Sequence, residues 1–136
     1  MFDAHDLLEL SLAAMAGMMA DLIFVPERMR GVAAAGHATA TDLADWLAGE
    51  AGVPFREAHH ISGRAVAFAE TQRKSLDELS LDELKSIDGR IDERVLPHLS
   101  VEASVASRRS AGGTAPERVR EAIAAARKQI AAREKK

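Results

Sequence analysis

The 136 residues include no cysteine and no tyrosine, one tryptophan and four phenylalanines. Without cysteine there can be no disulfide staple and no thiolate to grip a metal. With so few aromatics, the core falls to Leu, Ile, Val and Met, helped by a large share of Ala that buries little surface per residue. Alternating runs of β-branched residues are missing too, and with them the signal for strands. Nor does one sign of charge dominate: 18 Lys and Arg against 21 Asp and Glu leave a net charge of −3. That balance argues against strong attraction to nucleic acid or to an anionic membrane, although it allows a local basic patch. The opening Met1-Phe2-Asp3-Ala4-His5-Asp6 lacks the basic region of a secretory signal, so a cytoplasmic setting is expected. A membrane span needs roughly 20 continuous apolar residues, and Glu9 and Asp21 interrupt the most apolar stretch.

What is present is helical. Hydrophobic residues make up 47% of the chain, enough for one ordinary domain with a modest core. Ala, Leu, Glu and Arg dominate, all good helix formers. The expected class is all-α, with about six helices. The first is expected over residues 4–25, capped by Asp3 and ended by Pro26, because the residue before proline avoids the helical region. Between Leu7 and Val25 its only polar residues are Glu9, Ser11 and Asp21. A helix apolar on nearly every face must be buried on nearly every face. A short helix over 27–35 should end at Gly36. Thr39 or Thr41 should cap the next, through Ala48, with Leu43, Ala44 and Leu47 on one side. After a turn at 49–52, Pro54 should open a helix to Gln72, with Phe55, Ala58, Ile61, Ala65, Phe68 and Ala69 as its buried stripe. Trp46 and Phe55 are expected to pack together across that turn, so that Phe55→Ala would cost about 3–5 kcal/mol.

Ser75 with Glu78 and Ser80 with Glu83 have capping-box spacing, and the tandem Leu76-Asp77-Glu78-Leu79 and Leu81-Asp82-Glu83-Leu84 reads as a turn leading into a short helix. Residues 91–99 predict a short helix bent or ended near Pro97, and 101–108 another. A loop over 109–113 precedes a last helix, boxed by Thr114 and Glu117, with Ala122, Ile123, Ala126 and Ile130 as its apolar stripe. The tail Arg133-Glu134-Lys135-Lys136 should fray.

Three runs, in order, resemble the argininosuccinate lyase family. They are Ala40-Thr41-Asp42-Leu43-Ala44-Asp45-Trp46-Leu47; then Gly52-Val53-Pro54-Phe55-Arg56-Glu57-Ala58-His59-His60 with Gly63; then Ser100-Val101-Glu102-Ala103-Ser104-Val105-Ala106-Ser107-Arg108 with Gly112-Gly113-Thr114-Ala115-Pro116. Leu79-Ser80-Leu81-Asp82-Glu83-Leu84, Phe2-Asp3 and Glu27-Arg28-Met29 also fit. The resemblance covers essentially the whole chain. It implies an all-helical homotetramer of the fumarase/aspartase superfamily that splits argininosuccinate into arginine and fumarate in arginine biosynthesis. Residues 1–30 would be the last long helix of its central bundle plus a connector, and 31–136 its small C-terminal helical domain. The family's threonine-histidine motif and its serine loop ending in Met-Pro-x-Lys-x-Asn-Pro do not occur in this sequence. No catalytic, cofactor-binding or metal-binding position therefore carries over, and the chain is expected to be inactive alone.

Each remaining candidate has a plain alternative. His59 and His60 invite a metal, but adjacent helical positions point about 100° apart, and Glu57 with His60 is a single pair where a bundle site needs several. A helix face with one partly packed and one solvated His serves equally. Ser104, Ser107 and Ser110 sit in no nucleophile elbow; caps and loop roles account for them. Arg108, Arg109 and Gly112-Gly113-Thr114 precede a helix N-terminus that can hold an anion, or form a connector and cap. The rival class is a free-standing helix-turn-helix DNA-binding or protein-interaction module, with Arg56, His59, Ser62 and Arg64 facing a groove in the DNA case; Asp42, Asp45, Glu50 and Glu57 oppose phosphate contact. Finally, Leu8, Leu12, Met15, Met19, Leu22 and Ile23 are too much apolar surface for a small monomer to expose. Self-association through the first helix is expected, as a dimer or tetramer that Met15→Glu with Met19→Glu would break.

Overall fold

In the computed structural model, residues 2–134 are described, and among them there is no strand. Seven α-helices, rather than about six, are joined by short 3-10 turns. They are α1 (Phe2–Ala20), α2 (Pro26–Ala34), α3 (Ala40–Gly49), α4 (Phe55–Gln72), α5 (Leu81–Ile87), α6 (Val101–Ser107) and α7 (Pro116–Arg133). The 3-10 turns span Ala35–His37, Leu76–Glu78 and Glu93–Leu99, the last with Pro97 inside it. No described helix is long and apolar enough to cross a membrane. The expected fraying falls partly on Lys135 and Lys136, which lie outside the described residues.

The core is built by the middle of the chain. On α3, Leu43, Trp46 and Leu47 are buried; on α4, Ala58, Ile61, Ala65 and Ala69. The alanines let the two helices approach closely. Leu76 and Leu79, then Leu84 of α5, then Ile91, Val95 and Leu99 close the remaining sides. Local chemistry sets up these elements. Both expected capping boxes form: Ser75 and Ser80 each cap a turn while Glu78 and Glu83 reach back to the serine N–H at 2.8 and 2.7 Å. They stop and restart the chain so that both leucine repeats turn inward. Gly36 ends α2 in the left-handed conformation, φ 72°, which costs glycine little.

Several expectations are corrected. The first helix stops at Ala20, not Val25, because Ile23, Phe24 and Val25 are poor helix formers and Val25 precedes Pro26. Leu22 and Ile23 thus lie beyond it, and Asp3 sits in its first turn rather than capping it. Every residue from Asp3 to Ala33 is exposed, so among the described residues nothing covers α1. Thr39 occupies the N-cap of α3 but its side chain makes no cap bond. At α7 the N-cap is Ala115, so the Thr114–Glu117 box does not form; the Ala115 N–H is instead held by the Arg108 carbonyl at 3.1 Å. The apolar stripe of α7 is exposed, with Ile123 and Ile130 largely in solvent.

Phe55 is the largest correction. It is 63% exposed, while Trp46 is buried beneath the Arg94 guanidinium, 5.9 Å from its ring. The stripe spacing on α4 is right, but Val53 already fills the end of the α3–α4 interface, its N–H bound to the Leu47 carbonyl at 2.9 Å. Phe55, in the first turn, therefore falls past the edge of the partner helix. Phe55→Ala is now expected to change stability by less than about 0.5 kcal/mol. Urea unfolding followed by the fluorescence of Trp46, the sole tryptophan, checks it; a large fall in midpoint would place Phe55 in the core after all.

Candidate functional site

Two polar clusters lie against the core. The first joins α3 to the connector after α6. Asp42 faces inward beside Leu43 and is buried; its Oδ1 accepts from Arg108 Nη2 at 2.7 Å, and Asp45 Oδ2 lies 3.8 Å from Arg108 Nη1. Asp42 Oδ2 is buried without a protein partner. The connector then folds back on itself. The Gly113 N–H donates to the Ser110 carbonyl at 2.9 Å. A Cβ at Gly113 would lie 2.1 Å from the Arg108 oxygen, so only glycine fits that approach. Arg109 Nε faces Glu117 at 3.2 Å, and Arg118 Nε donates to the Arg109 carbonyl at 2.7 Å. Both guanidiniums of the suggested anion cradle thus already face carboxylates, and the segment has the geometry of a connector and clasp.

The serines have local partners. The Ser107 Oγ donates to the Ser104 backbone carbonyl at 2.7 Å, the Ser110 backbone carbonyl accepts from the Gly113 N–H, and the Oγ of Ser100, which caps α6, accepts the Ala103 N–H. His59 and His60 stand exposed on α4 with ring centroids 6.4 Å apart and edge-to-face. Glu57 turns away from His60 and accepts from Arg90 Nη2 at 2.6 Å. Among the described residues no group of three or more His, Asp or Glu could hold a metal ion. The helix-turn-helix face is corrected at Ser62, which is buried and donates to the Ala40 carbonyl, locking α4 to α3. Arg64 Nη2 is 3.5 Å from Asp88; Arg56 and His59 remain exposed. A recognition face that spends its central serine on its own supporting helix cannot offer it to a base edge.

The second polar cluster surrounds Arg90. Its Nε and Nη2 donate to Asp88 at 2.8 and 2.9 Å, and Nη2 also reaches Glu57, tying the turn after α5 to α4. The Arg90 side chain holds the Asp88 carboxyl down at about 2. Glu83 is likewise held at about 2, first by Lys74 Nζ at 2.6 Å and then by the Ser80 N–H. These values lie below the ordinary 3.8 and 4.5. The unfolded chain therefore takes up protons first as pH falls, and stability present above about 4.5 is lost on the way to about 2. The urea midpoint should fall between about pH 7 and about pH 3, and by less in Lys74→Ala than in the parent. Equal midpoints at the two pH values would show that these carboxylates do not support the fold.

The sequence signal for this cluster was available and missed. Asp88-Gly89-Arg90 and Asp92-Glu93-Arg94 repeat one spacing, and each Asp accepts both the backbone N–H and the guanidinium of the Arg two residues on. Asp42 with Arg108 carries no such signal, since 66 residues separate them.

The family model for argininosuccinate lyase C-terminal matches residues 37–106, just over half the chain. The match opens at His37, just before α3, and runs into α6. It therefore holds every member of the main hydrophobic core, from Leu43 to Leu99. Fold and match thus delimit the same unit, and this chain belongs to the argininosuccinate lyase C-terminal family.

Proposed function

We propose that this chain is the C-terminal part of an argininosuccinate lyase, a cytoplasmic enzyme of arginine biosynthesis that cleaves argininosuccinate to arginine and fumarate. Residues 1–30 act as the last helix of a central intersubunit bundle with its connector, and 31–136 as the C-terminal helical domain. The segment supports fold and tetramer assembly and is inactive alone. The observation that carries this reading is the contrast within one molecule. The matched unit buries a complete small core, while the 19 residues of α1 expose Leu7, Leu8, Leu10, Leu12, Met15, Met18 and Met19 together. A contiguous apolar surface of that kind marks an interface. The strongest ion pairs, Asp42 with Arg108 and Asp88 with Arg90, tie one element of the fold to another, which supports a structural role for them.

Purified chain incubated with argininosuccinate should produce no fumarate, followed by ultraviolet absorbance. Mixed with a family member cut just before its own last bundle helix, it should restore fumarate formation. Fumarate from the chain alone, or failure of the mixture to associate, would overturn the proposal.

A further inference from the structure

Among the described residues two long helices, α1 and α7, are left uncovered, and they match. On α1, Leu8, Leu12, Met15 and Met19 are spaced by four, three and four residues; on α7, Val119, Ile123, Ala126 and Ile130 repeat the same spacing. That is the spacing of a coiled-coil seam. All the large members are exposed, Leu8 and Met15 both by 60%, so within one chain neither seam covers the other. The charges are complementary in one direction only. The N-terminal half of α1 carries Asp3, Asp6 and Glu9 and no Lys or Arg; the C-terminal half of α7 carries Arg127, Lys128 and Arg133 and no acid. An antiparallel pair brings these halves together and opposes the helix dipoles.

We infer that α1 of one copy packs antiparallel on α7 of a second copy, in a reciprocal two-fold pair. The inference rests on the proposal that α1 is an assembly helix and names its partner in the isolated chain. The register follows from the spacing. Leu8 lies opposite Ile130, Leu12 opposite Ala126, Met15 opposite Ile123 and Met19 opposite Val119, so every layer is apolar and Leu12 meets a small residue. Glu9 and Arg127 then flank the same two layers on one side, and Ser11 and Gln129 on the other. A second copy supplies both pairings at once, giving a closed dimer.

The absence of cysteine makes the test clean. Met15→Cys chain is mixed with Ile123→Cys chain and oxidised. A disulfide-linked heterodimer should form several-fold more than when Glu121→Cys, on the far side of α7, replaces Ile123→Cys. In sedimentation equilibrium of the full chain, Glu9→Arg should weaken association by about threefold, and adding Arg127→Glu should restore it. Three outcomes overturn the inference. A Met15–Met15 cross-link in excess means that α1 pairs with α1, leaving assembly through α1 intact. Linkage within a Met15→Cys, Ile123→Cys double variant, with none between the single variants, means that α1 folds onto its own α7. A monodisperse monomer removes both this pairing and the assembly role.

Discussion

Leu47→Ala should lower stability by about 2–5 kcal/mol, the usual cost of removing a fully enclosed leucine. Leu47 is 0% exposed and lies between α3 and α4, with Leu43, Trp46 and Val53 in the same cluster. The neighbours that would have to collapse into the cavity are fixed. Ala58 and Ala65 of α4 have no longer side chain to extend, and Val53 is tethered to the Leu47 carbonyl. A core drawn from so few large side chains has little reserve, since small domains are marginal to begin with. The Trp46 fluorescence melt should therefore fall by at least about 8 °C, or show no folded baseline. A midpoint within error of the parent would mean that the α3–α4 interface is not what holds this unit together.

Arg108→Met should be the most damaging polar substitution, at about 1–3 kcal/mol. The guanidinium is partly exposed, so its own desolvation is small, whereas the Asp42 side chain it neutralises is 9% exposed. Removing the arginine leaves a buried carboxylate with neither oxygen paired, because Oδ2 already lacks a protein partner. The damage should be asymmetric. Arg108→Met with Asp42→Leu should regain part of the loss, since no charge is then left buried. Thermal melts of the parent, both single variants and the double variant give the coupling directly. If Arg108→Met melts with the parent, the pair contributes nothing and the connector is held by its other bonds.

The features legible in the sequence are the ones whose causes are local. The two serine capping boxes span three residues each, and both form. The end of α4 at Gln72, the left-handed Gly36 and the turn leading into α5 follow from propensity, caps and spacing, all decided within a turn or two. The all-α class follows in the same way, from good helix formers and missing strand patterns. The apolar character of the first helix was equally plain, but the sequence could not say what covers it, because no element of the described chain does.

Tertiary structure decided the rest, wherever the answer depended on where a neighbour ends. Phe55 has the right period to be buried and is not, because α3 and Val53 stop short of it. Ser62 looked like a groove-facing residue and is instead a bolt into the Ala40 carbonyl. Thr114 lost its capping role by one residue, because Ala115 stands at the N-cap of α7. The Asp42–Arg108 pair joins residues that no local spacing relates. Periodicity fixes which side chains share a helix face; only the packed neighbour determines how far along that face burial extends, and which polar group finds its partner there.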